Sequence, residues 1–179
     1  MSDALIVVDM QNLFVDVVGP DGPRVVAAVN QQVAQAVESG RPVFYTQDFA
    51  PIDLPDGDPQ RRTALHSDLD VRGTVVDKGP GKRGGFSGFV LGPVLEPQQA
   101  YGGGSLGPLV GLLRDSGATS VTVVGIATDV CVAATARDAV RLGYKATVLV
   151  RAGAFVHAHP EGDRAALSEL RDAGVTVIE

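Results

Sequence analysis

The chain contains a single cysteine, Cys131, within residues 125–139, where an apolar run that predicts a strand is followed by a stretch that predicts a helix. The thiol is therefore expected in the first helical turn, where unpaired N–H groups and the helix dipole favour an anion. A cysteine in such a position can have its pKa lowered from about 8.5 toward neutrality, which makes it a candidate nucleophile. The alternative is a small core residue without chemistry, since free cysteines are often buried.

Three more side chains capable of chemistry follow predicted strands. Asp9 follows the first strand, Asp48 the second and Lys78 the third. In an open parallel sheet, ligands bind outside the carboxyl ends of the strands, so an acid, a cation and a thiol should converge on one cleft. Each residue alone has a structural explanation, because aspartates cap turns and charged side chains form structural ion pairs. Their coincidence at matching strand ends favours catalysis.

Hydrophobic periodicity predicts the elements that hold these residues. Short β-branched runs alternate with amphipathic stretches, which is typical of an α/β fold with a mostly parallel, Rossmann-like sheet between helices. Six strands are predicted, at residues 4–8, 42–46, 74–76, 120–124, 146–150 and 175–178. Four helices are predicted, at residues 23–38, 106–115, 129–142 and 160–172. Two stretches rich in Gly, Pro and Asp, residues 48–72 and 79–104, are predicted to be functional loops.

Composition narrows the class of protein. With 179 residues, of which 45% are hydrophobic and 20% charged, the chain is predicted to form one domain over residues 1–179. A formal net charge of −6 argues against nucleic acid as a partner, because phosphate binding needs a basic surface. One cysteine rules out an internal disulfide, and the N-terminal apolar run is too short for a signal peptide or a membrane span. A cytoplasmic protein without a membrane partner is therefore expected.

Four stretches of the sequence resemble the isochorismatase-like cysteine hydrolases, and within them the nicotinamidase and amidohydrolase branch. They are residues 5–12 with Phe14, residues 43–49, residues 78–79 with 86–89, and residues 125–139. Together they extend over nearly the whole chain. The resemblance implies a three-layer α/β/α fold.

The resemblance also implies a Cys-Asp-Lys triad formed by Cys131, Asp9 and Lys78. It further implies a cis peptide bond between Ile126 and Ala127, and an oxyanion hole made by the backbone N–H groups of Ala127 and Cys131. In such a triad the carboxylate takes the thiol proton and the lysine stabilises negative charge. The thiolate attacks an amide carbonyl, ammonia or an amine leaves, and water hydrolyses the thioester.

The chain is thus predicted to be a hydrolase of C–N bonds other than peptide bonds. Its expected partners are a small-molecule amide substrate and further copies of itself, in a dimer or a tetramer. A second interpretation, of another class, is a non-catalytic binding or redox-sensing protein that uses Cys131 as a reversible thiol. The presence of all three triad residue types argues against that second interpretation.

The chain departs from nicotinamidases at their metal site. There, the aspartate after the second strand is followed two residues later by a metal-binding histidine, and this position is Ala50 here. The remaining candidate ligands are Asp48, Asp56 and His66, and a set with few imidazoles and no thiolate suits zinc or iron poorly. No cofactor is therefore expected. The alternative is a nicotinamidase whose divalent metal site is rebuilt from these three residues.

The substrate pocket can be predicted from positions beside the triad and Asp48. The candidates are Phe14, Phe49, Phe86 and Val130, each of which could equally be a core residue. Lys82 and Arg83 follow Lys78 in a glycine-rich stretch and could attract an anionic group at the entrance. Solvated loop charge explains these two residues equally simply.

Overall fold

The computed structural model describes residues 3–92 and 105–179, and its centre is one parallel sheet. Six strands form this sheet: β1 (Asp3–Val8), β2 (Val43–Asp48), β3 (Thr74–Lys78), β6 (Ser120–Ile126), β7 (Lys145–Ala154) and β8 (Thr176–Ile178). Their order is β3-β2-β1-β6-β7-β8, and every pairing is parallel. The predicted α/β fold and all six predicted strands are confirmed.

Several strands extend further toward their carboxyl ends than the sequence pattern indicated. β2 ends at Asp48 and β3 at Lys78, and these two residues face each other in the sheet register. Polar residues at the strand ends concealed this extension, because periodicity detects only the apolar part of a strand. Lys78 is therefore the last residue of a strand rather than the first residue of a loop.

Helices lie on both faces of the sheet, as predicted. They are α1 (Asn12–Val17), α2 (Gly22–Glu38), α3 (Leu109–Asp115), α4 (Ala133–Arg141) and α5 (Asp163–Asp172). Successive residues of β1 alternate between the two faces: Ile6 and Val8 pack with α3, α4 and α5, while Leu5 and Val7 pack with α1 and α2. This alternation gives the three-layer arrangement.

Three helix boundaries and one small sheet differ from the predictions. Helix α3 begins only at Leu109, because Ser105–Leu106 (β5) pairs with Val90–Leu91 (β4) in an antiparallel ladder. Helix α5 begins after Gly162, whose φ of +87° is incompatible with a helix.

The predicted helix at residues 129–142 starts as a π-helical turn, Thr128–Val132, and α4 follows it. Helix α1 was not predicted, since six residues are too few for a periodic pattern.

The long irregular stretches adjoin the carboxyl edge of the sheet. Residues 49–72 are irregular as predicted, while Asp48 belongs to β2, and an isolated bridge joins Leu65 to Gln11. Of the predicted loop 79–104, residues 93–104 lie outside the described part, and the rest contains a 3₁₀ turn, Gly81–Arg83. Across residues 3–92 and 105–179, no helix combines the length and apolarity needed to cross a membrane.

Candidate active site

Asp9 follows β1 directly and is completely buried. Its φ of +48° lies in the left-handed region, which non-glycine residues adopt at a cost and which often marks a functional position. The Thr46 hydroxyl donates a hydrogen bond of 2.8 Å to Asp9 Oδ1. The neighbouring strand β2 therefore fixes the orientation of the carboxylate.

Lys78, at the end of β3, connects this carboxylate with the thiol. Its Nζ lies 2.7 Å from Asp9 Oδ2 and 3.4 Å from Cys131 Sγ, and it donates a 2.9 Å hydrogen bond to the carbonyl of Phe86. The side chain is fully buried, so these contacts replace the water that an ammonium group loses on burial. The three residues predicted as a triad are thus brought together.

Cys131 lies in the π-helical turn after β6, and α4 holds that turn. The Thr135 hydroxyl donates a hydrogen bond of 2.7 Å to the Cys131 carbonyl and accepts one of 2.9 Å from the N–H of Gly88. The Ile126–Ala127 peptide, just before the turn, is cis. One buried hydroxyl therefore links the segment that carries the thiol with the segment around Phe86.

The predicted lowering of the Cys131 pKa is wrong. Burial, with the charge of Asp9 next in importance, raises the pKa of the Cys131 thiol to about 12, and Lys78 offsets this only in part. The side chain is only 8% exposed, so loss of hydration disfavours the thiolate more than the helix terminus favours it. The thiol is therefore protonated in the free protein.

The pKa values of Asp9 and Lys78 are both raised as well. Burial raises the pKa of Asp9 by more than Lys78 and Thr46 lower it. Burial would lower the pKa of Lys78, but the negative charge of Asp9, with Cys131 nearby, outweighs it and the pKa is raised. Lys78 is therefore a permanent cation, and Asp9 is a stronger base than an exposed carboxylate.

A cavity of about 320 Å³ opens onto the thiol. Its wall is mostly apolar and includes Phe14, Val17, Pro51, Phe86, Val130 and Val156, and Ile126, Ala127 and Cys131 also line it. Three predicted pocket residues, Phe14, Phe86 and Val130, are in this wall. Phe49 is not: its side chain is 49% exposed, because Asp48 points inward and alternation along the extended chain turns the next residue outward.

The metal site considered from the sequence is not assembled. Asp48 accepts backbone hydrogen bonds at both carboxylate oxygens, from Ala50 at 3.0 Å and from Gly81 at 2.7 Å. His66 Nδ1 instead accepts from the N–H of Asp68 at 3.2 Å. Within residues 3–92 and 105–179, no three His, Cys, Asp or Glu side chains are grouped to hold an ion. Asp48, Asp56 and His66 are therefore not brought together as a group of ligands in this part of the chain.

Comparison with known proteins identifies the family. Residues 3–179 match the model of the isochorismatase domain. The chain belongs to the isochorismatase family. It is 34% identical over 195 residues to the nicotinamidase/pyrazinamidase of Mycobacterium tuberculosis, with 98% of this chain and 97% of that protein covered.

Two further relatives extend the comparison. The ureidoacrylate amidohydrolase of Pseudomonas syringae is 31% identical over 175 residues, which cover 83% of this chain and 69% of that protein. The crystal structure of N-carbamoylsarcosine amidase from Thermoplasma acidophilum superimposes with a TM-score of 0.73 at 26% identity, covering 100% of this chain and 96% of that one.

Gln11 is a site residue whose role the sequence did not indicate. Its side chain exchanges two hydrogen bonds with the Asp48 backbone, at 3.0 and 2.8 Å, and donates a third to the Thr63 carbonyl at 2.6 Å. It thereby joins the ends of β1 and β2 to the following loop. Gln11 lies within the stretch of sequence that resembles the isochorismatase family, and this resemblance could have pointed to it as a site residue.

Proposed function

We propose that the chain is a cysteine amidohydrolase that cleaves the C–N bond of a small-molecule amide through a thioester intermediate on Cys131. Its named relatives are amidases and amidohydrolases, and this chain is a hydrolase of C–N bonds other than peptide bonds. The observation that carries the mechanism is the contact of Lys78 Nζ with both Asp9 and Cys131 Sγ at the base of an apolar cavity.

In the first step, the thiol proton passes to Asp9. The raised pKa of Asp9 supports its role as general base, and the fixed charge of Lys78 stabilises the thiolate as it forms. Two adjacent anions would repel each other, so the thiolate forms only as Asp9 becomes protonated. During this step the group of Asp9 and Cys131 therefore keeps one negative charge beside the ammonium of Lys78.

In the following steps, Cys131 Sγ attacks the amide carbon and the carbonyl oxygen becomes an oxyanion. The backbone N–H groups of Ala127 and Cys131, both at the cavity wall, are the proposed donors to that oxygen. Asp9 returns its proton to the leaving nitrogen, the C–N bond breaks, and ammonia or an amine departs. Water then attacks the thioester with Asp9 as base, releasing the acid and restoring the thiol.

The experiment is an ammonia-release assay over primary amides, carbamoyl compounds and ureides, with nicotinamide included. Wild-type protein should release ammonia from at least one compound, whereas Cys131→Ala should give the blank rate with an unchanged circular dichroism spectrum. Cys131→Ser should be nearly as inactive, because a hydroxyl needs a stronger base than Asp9. Equal release by wild type and Cys131→Ala would overturn the proposed function.

The redox-sensing alternative predicts a different outcome. A sensor thiol is accessible and has a low pKa, whereas Cys131 is buried and has a raised pKa. Mild peroxide should therefore oxidise Cys131 no faster than an ordinary exposed thiol. Rapid, reversible oxidation combined with no release of ammonia from any amide would favour the sensor.

A further inference from the structure

Lys82 is a charged side chain in the wall of an otherwise apolar cavity. In the described part of the chain, it is the one positively charged residue among those that line this cavity. Its ammonium contacts the carboxylate of Asp53, a side chain that is 93% exposed, while Lys82 itself is 30% exposed. The ammonium therefore lies at the mouth of the cavity, with its stem against the apolar wall and its present partner in solvent.

The backbone around Lys82 is fixed relative to the catalytic group. The N–H of Gly81 donates to Asp48 Oδ2 at 2.7 Å, and a Cβ at Gly81 would lie only 2.9 Å from the same oxygen. The turn ends at Gly84, whose φ is +84°. The turn that carries Lys82 is thus tied to Asp48 at the end of β2, which pairs with Lys78 in the sheet.

The present partner of Lys82 can be exchanged. Ion pairs that are exposed to solvent contribute little free energy. A ligand carboxylate can therefore take the place of Asp53 beside Lys82 at a small cost in free energy. The carboxylate of Asp48, the other charge in the wall, is already occupied by two backbone N–H donors. A ligand anion at the mouth would gain a charge-assisted hydrogen bond beside an apolar surface, where water screens it less.

We propose that Lys82 recognises a carboxylate at the end of the substrate remote from the scissile amide. The preferred substrates are then monoamides or ureides of small carboxylic acids, with an uncharged carbon chain between the two groups. This inference rests on the proposed function, because it assigns the orientation of the substrate in the same cavity.

The test compares amides of equal length that end in methyl or in carboxylate: butanamide with succinamate, pentanamide with glutaramate, and hexanamide with adipamate. The measured quantity is the ratio of kcat/KM for the carboxylate to kcat/KM for the methyl compound. In wild type the ratio should reach at least about tenfold at one chain length, as expected for one hydrogen bond to a charged group. The gain should appear mainly in KM and should shrink as salt is added.

The variants assign the preference to one ammonium group. Lys82→Met should bring the ratio close to one, and Lys82→Arg should recover part of it. Arg83→Met is the matched control: it removes the same charge from the next residue, which does not line the cavity, so the ratio should change by less than about twofold. Asp53→Asn should raise the ratio slightly, because the competing carboxylate is gone.

The two proposals fail in different ways. If methyl-ended amides are cleaved but the ratio stays near one at every length, or Lys82→Met and Arg83→Met change it equally, the role of Lys82 is wrong and the amidase remains. If wild type cleaves neither series, a binding measurement tests the role of Lys82 instead. Glutaramate should raise the melting temperature of Cys131→Ala, and adding Lys82→Met to that variant should remove the increase. Absence of both cleavage and protection would overturn the Lys82 proposal as well.

Discussion

Two lysine–aspartate pairs adjoin the cavity, one through the contact of Lys78 with Cys131 and the other through Lys82 in the wall, and they differ sharply in burial. The pair of Lys78 and Asp9 is fully buried, whereas Lys82 and Asp53 are 30% and 93% exposed. Burial makes the inner pair costly to break and holds it in one arrangement. Exposure makes the outer pair weak and exchangeable. In the proposed function, the buried pair serves catalysis and the exposed pair serves recognition.

The largest expected effect comes from the inner carboxylate. Asp9→Asn should reduce kcat by about 1,000-fold, the scale of losing a general acid–base group. The same change removes the negative charge that raises the pKa of Cys131, so the pKa of the thiol should fall. Alkylation by iodoacetamide, followed against pH, should therefore begin at lower pH in Asp9→Asn than in wild type. Slower alkylation in the variant would mean that Asp9 does not oppose the thiolate.

The next effect separates the two lysines. Lys78→Ala should lower kcat at least about 100-fold, as expected for loss of a charge-stabilising group. It should also destabilise the fold by about 3 kcal/mol, because Asp9 is left buried without its positively charged partner. Lys82→Ala should instead act mainly on KM. Steady-state kinetics and thermal unfolding of both variants check this. A loss of kcat in Lys82→Ala with only a KM change in Lys78→Ala would show that the two lysines have been assigned the wrong roles.

A smaller effect is expected from Asp48. Asp48→Asn places an amide where two backbone N–H groups need acceptors, so stability should fall by about 1–2 kcal/mol. Activity should change less than stability does, and a chelator should leave the rate of wild type unchanged. His66→Ala, the matched control for a metal ligand, should retain activity. One tightly bound ion per chain, with activity lost in both variants, would restore the rebuilt metal site.

The smallest effect is expected at the outer carboxylate. Lys82 and Arg83 lower the pKa of Asp53, but the side chain is exposed and the pairing contributes little to folding. Asp53→Asn should therefore leave the melting temperature unchanged near neutral pH. A clear drop in melting temperature would show that the pair of Lys82 and Asp53 stabilises the fold. It would contradict the inference that a ligand carboxylate can replace Asp53 at little cost.

The sequence predicted the group of Asp9, Lys78 and Cys131 because parallel strands deliver their carboxyl ends to one edge of the sheet. It did not predict the direction of the Cys131 pKa shift, since that depends on burial and on a carboxylate far away in sequence. Phe49 was misplaced for a related reason. Adjacency to Asp48 along the chain says nothing about which way a side chain points once the strand continues to residue 48.

Thr135 has a practical consequence for altering the specificity of this protein. Its hydroxyl donates a hydrogen bond to the Cys131 carbonyl and accepts one from the N–H of Gly88, two residues after Phe86, yet Thr135 is not part of the cavity wall. A library that varies Phe14, Val130 and Val156 should therefore keep Thr135 constant. Combinatorial redesign would otherwise change the shape of the pocket and the alignment of the attacking sulfur at once, and the two effects could not be selected separately.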